Sequence, residues 1–253
     1  MIDLSTILGL LFAGVMLYVG LDLANEGSLY YDPQALVIVL GGTIIATFIN
    51  VPFKFFPKLL MTFIRLFFEQ KLESTEKTIK KIVKFSELAI TNGFESLVDT
   101  DEYKAADPFT KKGLAMLSDG RSEAFIREVL ESQITETKVR HRLISDTFVI
   151  MGSFAPTFGL LGTVVGIVKV LKYVTDAASV GSSMALALLT TFYGIAFANF
   201  LFIPMSGKLR IRGSLEYTSK QMIVEGIISI HQGLLPIMVE QRLKSYLKDS
   251  KAV

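Results

Sequence analysis

Four stretches of the chain carry no acidic or basic side chain, and strongly charged segments separate them. They run from about Leu4 to Leu21 (LSTILGLLFAGVMLYVGL), Ala35 to Val51 (ALVIVLGGTIIATFINV), Thr147 to Val168 (TFVIMGSFAPTFGLLGTVVGIV) and Met184 to Met205 (MALALLTTFYGIAFANFLFIPM). Roughly 20 apolar residues, at about 1.5 Å of helix each, cross the ~30 Å hydrocarbon layer of a bilayer. Backbone groups in lipid must be satisfied within the segment, so each stretch is expected to be a helix. Composition alone does not decide this, because a soluble domain is also about half apolar and this chain is 51% apolar. The clustering decides it. The first block lacks a basic n-region and a small-x-small cleavage site, so it reads as a span and not as a signal peptide.

The placement of Lys and Arg orients these spans. The connection from Asp22 to Gln34 holds Asp22, Glu26 and Asp32 and no basic residue. Lys54, Lys58, Arg65 and Lys71 follow the second span; Lys138, Arg140 and Arg142 precede the third; Lys208, Arg210 and Arg212 follow the fourth. Both termini and the long middle segment of this multi-pass chain are therefore expected on the cytoplasmic side, with both short loops facing outward. Lys169 and Lys172 fall on the other side, at a helix end where long stems snorkel to the interface. The expected fold class is all-α: four transmembrane helices and a helical cytoplasmic domain. Residues 1–51 hold spans one and two, 52–145 the cytoplasmic domain, 146–206 spans three and four, and 207–253 a cytoplasmic helical tail.

The middle segment has helical periodicity at Ile79, Ile82, Val83 and Ile90, and Asn92-Gly93 supplies a stop. Asp107-Pro108 matches an N-cap followed by proline at the first helical position. Ser122 opens the run SEAFIREVLESQITETKVRHRLIS, which has no breaker before the third span. One continuous helix is expected there. Gly233 and Pro236 divide two helices in the tail, the second carrying Ile237, Val239, Leu243 and Leu247.

Several functions are excluded by what the residues lack. A net charge of +2 is too small for a nucleic-acid footprint. With no cysteine, disulfides and thiolate metal sites cannot form. His141 and His231 lie far apart in polar surroundings, which fits solvated or packing roles. No nucleophile–base set or Gly-rich phosphate loop is present, so no enzyme and no resident cofactor is expected.

The spans themselves contain no ionisable group at their centres; Asp146 and Lys169 mark the two ends of the third. An ion pathway that needs a carboxylate must take it from another chain. What spans three and four do carry is small and hydroxyl residues in stripes. Ala155, Gly159, Gly162, Thr163 and Gly166 share a face of the third. Ala187, Thr191, Gly194 and Ala198 share one of the fourth, with Thr190 beside them. Such stripes let helices approach closely, and the threonine hydroxyls can also line a polar path. Pro156 and Pro204 donate no bond to the carbonyls of Gly152 and Phe200, which makes both hinge positions.

These residues resemble a known family. APTFGLLGTVVGIV (Ala155 to Val168) and MALALLTTFYGIAFANFLFIPMSGKL (Met184 to Leu209), with FTKKGLAMLSDG between the span pairs, are similar to the MotA/PomA family of flagellar motor stator subunits, within the wider TolQ/ExbB group. The resemblance covers essentially the whole chain. It implies a ring of such subunits, five in number, around a dimer of a MotB/PomB-like single-span partner. That partner carries the ion-binding aspartate and a peptidoglycan-anchoring domain. It further implies torque on the rotor switch-complex protein FliG, conformational coupling through Pro156 and Pro204, and ion-path hydroxyls at Thr163, Thr190 and Thr191. Threonine at the place of Thr163 goes with sodium-driven members, so sodium is favoured and protons stay open. Family acids facing the rotor correspond to Asp99 and Asp101. The usual basic pair there is replaced by Ile90 and Thr91, leaving Lys80, Lys81 and Lys84 as the basic residues nearby. A TolQ/ExbB-like unit energising another envelope process is the alternative, but those relatives have three spans and an outside N-terminus. A transporter or channel acting alone would need its own intramembrane charges or inverted repeats, and neither is found.

Overall fold

In the computed structural model, residues 3–22, 30–68 and 73–250 are described. Glu26 and Lys71, used above for orientation, lie outside them, as do the side chains of Leu21, Asp22 and Leu247. Among the described residues every regular element is helical. The chain runs α1 (Leu4–Asp22), α2 (Pro33–Asn50), α3 (Phe56–Leu66), α4 (Thr75–Asn92), α5 (Asp101–Ala105), α6 (Pro108–Ser118), α7 (Glu123–Lys172), α8 (Ala177–His231) and α9 (Pro236–Ser250). Three of these, α2, α7 and α8, are long and apolar enough to cross a membrane. The first block forms the unbroken 19-residue α1, about 28 Å at helical rise, with its described apolar stretch at Leu4–Met16.

Local signals account for most element ends. Asp32 caps α2 through Ala35 N–H at 3.0 Å, with Pro33 at the first position. Asp107 caps α6, accepting from Phe109 N–H at 2.9 Å and Thr110 N–H at 3.1 Å. Gly93 (φ +81°) ends α4 and Gly233 (φ +69°) follows the end of α8; both occupy backbone space that a Cβ disfavours. Lys169 and Lys172 sit in the last turn of α7, where the partial negative charge of the helix end favours cations. The run from Ser122 is one 50-residue helix that passes through Pro156 unbroken.

The fourth span and the first helix of the tail are likewise one helix, α8, of 55 residues. A π turn at Ala198–Phe202 stands just ahead of Pro204. Proline offers no N–H to the fourth carbonyl before it, and the wider turn absorbs that lost bond without ending the helix. A second π turn, Val37–Gly41, adjoins the Gly41-Gly42 pair in α2.

The chain forms two compact units. The first comprises residues 1–70 and 142–210, the second 71–141 and 211–253. α3 belongs to the first unit. Its Leu66 is buried and its Leu59 and Phe63 pack beside it, in a core with Val39, Phe148, Leu186 and Phe202.

In the second unit Ile82, Phe85, Leu97, Leu114, Leu130, Ile227, Val239 and Leu243 form the core. Burial of such side chains from water contributes about 1.5–3 kcal/mol each. Two expected core positions face outward instead: Ile90 is 53% exposed and Ile237 is 63% exposed. Ala89 and Val239 take the buried places. The helical phase that buries Ile82, Phe85 and Ala89 turns Ile90 out by about 100° from Ala89.

Candidate functional site

The first unit holds a seam where α7 and α8 touch backbone to backbone. A Cβ on Gly159 would stand 2.8 Å from the Thr190 carbonyl oxygen, and one on Gly166 would stand 2.7 Å from that of Ser183. From the other side, a Cβ on Gly194 would meet the Ala155 oxygen at 2.6 Å and the Pro156 Cα at 3.0 Å. Gly162 receives the Thr190 side chain directly. Lipid tails are as apolar as these helices, so contact of this kind, rather than burial from water, holds them together. α2 closes on α7 by the same device, with the Phe158 ring lying over Gly42.

The three threonines are not equivalent. Thr190 is fully buried, and its hydroxyl donates to the Ala187 carbonyl at 2.9 Å. Within the protomer it packs the seam. Thr163 and Thr191 are partly exposed, and Thr163 donates to the Leu160 carbonyl at 2.6 Å. Pro156 lies against Gly194 in the seam. Pro204 is exposed and stands outside the seam.

Polar side chains secure the two ends of the unit. At one end the Tyr193 hydroxyl donates to the Tyr30 carbonyl and accepts the Asp32 N–H at 3.1 Å. At the other, Ser145 Oγ and Ser206 Oγ are 3.1 Å apart, Arg210 Nε donates to Ser145 Oγ at 3.3 Å, and Arg210 reaches Asp146 at 3.1 Å. Lys208 pairs with Asp3 at 2.5 Å and donates to Ser5 at 3.2 Å.

In the second unit the expected contact charges are all at the surface: Lys80, Lys81, Lys84, Asp99 and Asp101 are exposed. Lys81 pairs with Glu73 at 2.7 Å and Asp101 with Lys104 at 3.0 Å. Lys84 pairs with Glu102, tying α4 to α5 and holding the Glu102 carboxyl below the usual carboxylate range. Ile90 is exposed, and Thr91 beside it turns its hydroxyl back to the Glu87 carbonyl at 2.9 Å.

Several organising residues escape a reading of the sequence. Glu225 of α8 accepts from Arg127 of α7 at 2.6 Å and from Arg242 of α9 at 2.9 Å, and the bond to Glu225 raises the Arg127 guanidinium further above its ordinary value. These partners lie 98 and 17 residues from Glu225 along the chain, so no helical spacing announces them. Thr43 and Thr47 are buried in α2 and donate to the Val39 and Thr43 carbonyls, each at 2.7 Å. Their four-residue spacing was the available signal. Tyr193 had none.

The seam, the helices of spanning length and the charged helical unit define a polytopic α-helical membrane protein whose spans carry hydroxyls but no central charge. Residues 101–222 match the model of the MotA/TolQ/ExbB proton channel family. Chemotaxis protein PomA of Vibrio alginolyticus is 31% identical over 98% of this chain and 97% of its own length. Motility protein A of Bacillus subtilis is 31% identical over 97% of this chain and 91% of its own. The flagellar MotAB stator complex from Bacillus subtilis contains a chain that superposes with a TM-score of 0.88 at 31% identity, covering 96% of this chain and 95% of that one. A chain of C. jejuni MotAB shares the fold, with a TM-score of 0.89, at 24% identity over 96% of this chain and 95% of its own. The chain belongs to the MotA/TolQ/ExbB proton channel family, among its MotA/PomA members.

Proposed function

We propose that this chain is the ring-forming stator subunit of a bacterial flagellar motor, coupling a cation current, sodium favoured, to torque. Five copies surround a dimer of a single-span, peptidoglycan-anchored partner of the MotB/PomB kind. That partner supplies the carboxylate that binds the ion. The observation that carries this reading is the seam: two helices joined through glycine, with Thr163 and Thr191 partly exposed beside it and no ionisable residue in either span centre. An oxygen-lined surface without an acid is suited to flank an ion carrier on a neighbouring chain, because sodium needs several oxygen ligands while a proton needs only the carboxylate.

In this reading Pro156 and Pro204 are the coupling positions. Pro156 stands in the seam, and Pro204 adjoins the π turn of α8. The second unit is cytoplasmic, as are both termini, and it meets the rotor switch protein FliG through the region of Asp99 and Asp101. Lys80, Lys81 and Lys84 supply the nearby basic charge. The full-length match to motility proteins supports this reading over a unit energising another envelope process.

The experiment is ion flux in proteoliposomes. The chain co-reconstituted with a single-span partner bearing a membrane-embedded Asp is expected to conduct. The chain alone, or with the partner's Asp changed to Asn, is expected not to. Conduction by the chain alone would overturn the proposal.

A further inference from the structure

One face of α1 is lined with residues at helical spacing that differ from the rest of that helix. Ser5, Thr6, Gly9, Leu10 and Ala13 border a cavity of about 300 Å³, whereas Leu4, Leu8, Leu11, Phe12 and Val15 are exposed on the opposite side. The far wall is α8 from Asn199 to Lys208, including Pro204, and the floor is Leu66 and Phe67. The volume lies at the lower end of the ~300–1,000 Å³ typical of ligand sites. It exists because Gly9 and Ala13 present almost no side chain to it. A Cβ built on Gly9 meets nothing within 4 Å.

The cavity has a polar end and an apolar end. Lys208, Asp3, Ser5 and Thr6 gather at one end, with Lys208 bonded to all three of the others. Gly9, Leu10 and Ala13 continue one and two turns further into the span. A polar mouth over an apolar slot between membrane helices has the polarity of one leaflet of a bilayer. The same unit carries Lys54, Lys58 and Arg65 on and before α3, and Arg65 directly precedes the floor residue Leu66. Basic clusters at the membrane surface attract acidic headgroups, at about 1 kcal/mol per Lys or Arg.

We propose that this groove is a binding site for an acidic phospholipid. One acyl chain lies along Gly9 and Ala13 against Pro204. The ester oxygens meet the Ser5, Thr6 and Lys208 mouth, and the phosphate faces the basic residues of α3. The site rests only on the membrane placement of the first unit and is independent of which ion the assembly carries. Its occupant touches α8 where the helix departs from α geometry, at the π turn and Pro204.

The test uses the full chain in nanodiscs of equimolar phosphatidylglycerol and phosphatidylcholine, each lipid in turn bearing a photoreactive diazirine on its acyl chain. Phosphatidylglycerol is expected to cross-link to peptides covering residues 5–13 and 199–208, several-fold more than phosphatidylcholine. Gly9→Leu, or Ala13→Leu should the first variant assemble poorly, fills the slot and is expected to abolish that labelling. Gly181→Leu, whose Cβ also meets open space, is expected to leave it intact. Equal labelling by the two lipids would overturn the proposal. So would labelling unchanged in both slot-filling variants, or cross-links joining these peptides to a second copy of the chain in place of lipid.

Discussion

Gly162 and Thr190 meet so closely that a Cβ on the glycine would lie 2.5 Å from the Cβ, Cγ2 and Oγ1 of the threonine. The contact leaves no room for even one methyl group. Gly162→Ala is therefore expected to push α7 and α8 apart and destabilise the first unit by about 1–3 kcal/mol. Gly181→Ala, with open space around its Cβ, should be neutral. Thermal unfolding of the two variants in the same detergent checks this. Equal melting temperatures would show that the seam is not close-packed.

Thr163, next to Gly162 in the chain, is partly exposed. Thr163→Ala should raise the sodium concentration for half-maximal swimming speed about tenfold, the cost of one charge-assisted oxygen contact. Assembly and membrane insertion should be unchanged. Speed measured against sodium at fixed ionic strength tests this, and an unaltered sodium curve would remove Thr163 from the ion path.

In the second unit, Glu225 holds Arg127 and Arg242 together. Glu225→Gln keeps the shape but leaves the Arg242 guanidinium facing a neutral amide, while Arg127 keeps Glu131 at 3.5 Å and Glu123 at 3.7 Å. The expected loss is about 1.5–3 kcal/mol, the range for hydrogen bonds to charged groups. Hydrogen exchange should then quicken in α9, which the bridge fastens to α8. No change in α9 protection would show the bridge to be incidental.

The Lys84–Glu102 pair has a pH signature. Its partner lowers the Glu102 carboxyl below the usual range, so the folded state holds this proton less tightly than the unfolded chain does. The contribution is present above the ordinary carboxylate pKa and is lost as pH falls through the lowered value. The pair is exposed, so the effect is small. A titration of the Glu102 carboxyl by NMR should show the depressed midpoint return to the ordinary range in Lys84→Gln.

Charge reversal at the exposed Asp99 or Asp101 should reduce swimming torque without reducing the amount of protein in the membrane. Tethered-cell rotation at matched expression reads this out. Full torque in both variants would place the rotor contact elsewhere, with the neighbourhood of Ile90 the next to examine.

Features that depend on neighbours along the chain were legible in the residue order alone. Runs of apolar residues specified the spans. Asp32-Pro33, Asp107-Pro108, Gly93 and Gly233 specified the element ends, because caps and positive-φ turns are formed by residues a few positions apart. The missing central acid and the glycine–threonine stripes were likewise legible, since a helix face is a spacing. Which members of a stripe do what depends on how the helices pack. Thr190 and Thr191 are adjacent in sequence, yet about 100° of helical rotation buries one against Gly162 and leaves the other partly exposed. The same rotation buries Ala89 and turns out Ile90. The Glu225 bridge, the Tyr193 link to Asp32 and the slot between α1 and Pro204 join residues far apart in the chain. Their existence depends on how helices are placed against one another, and no local pattern encodes that.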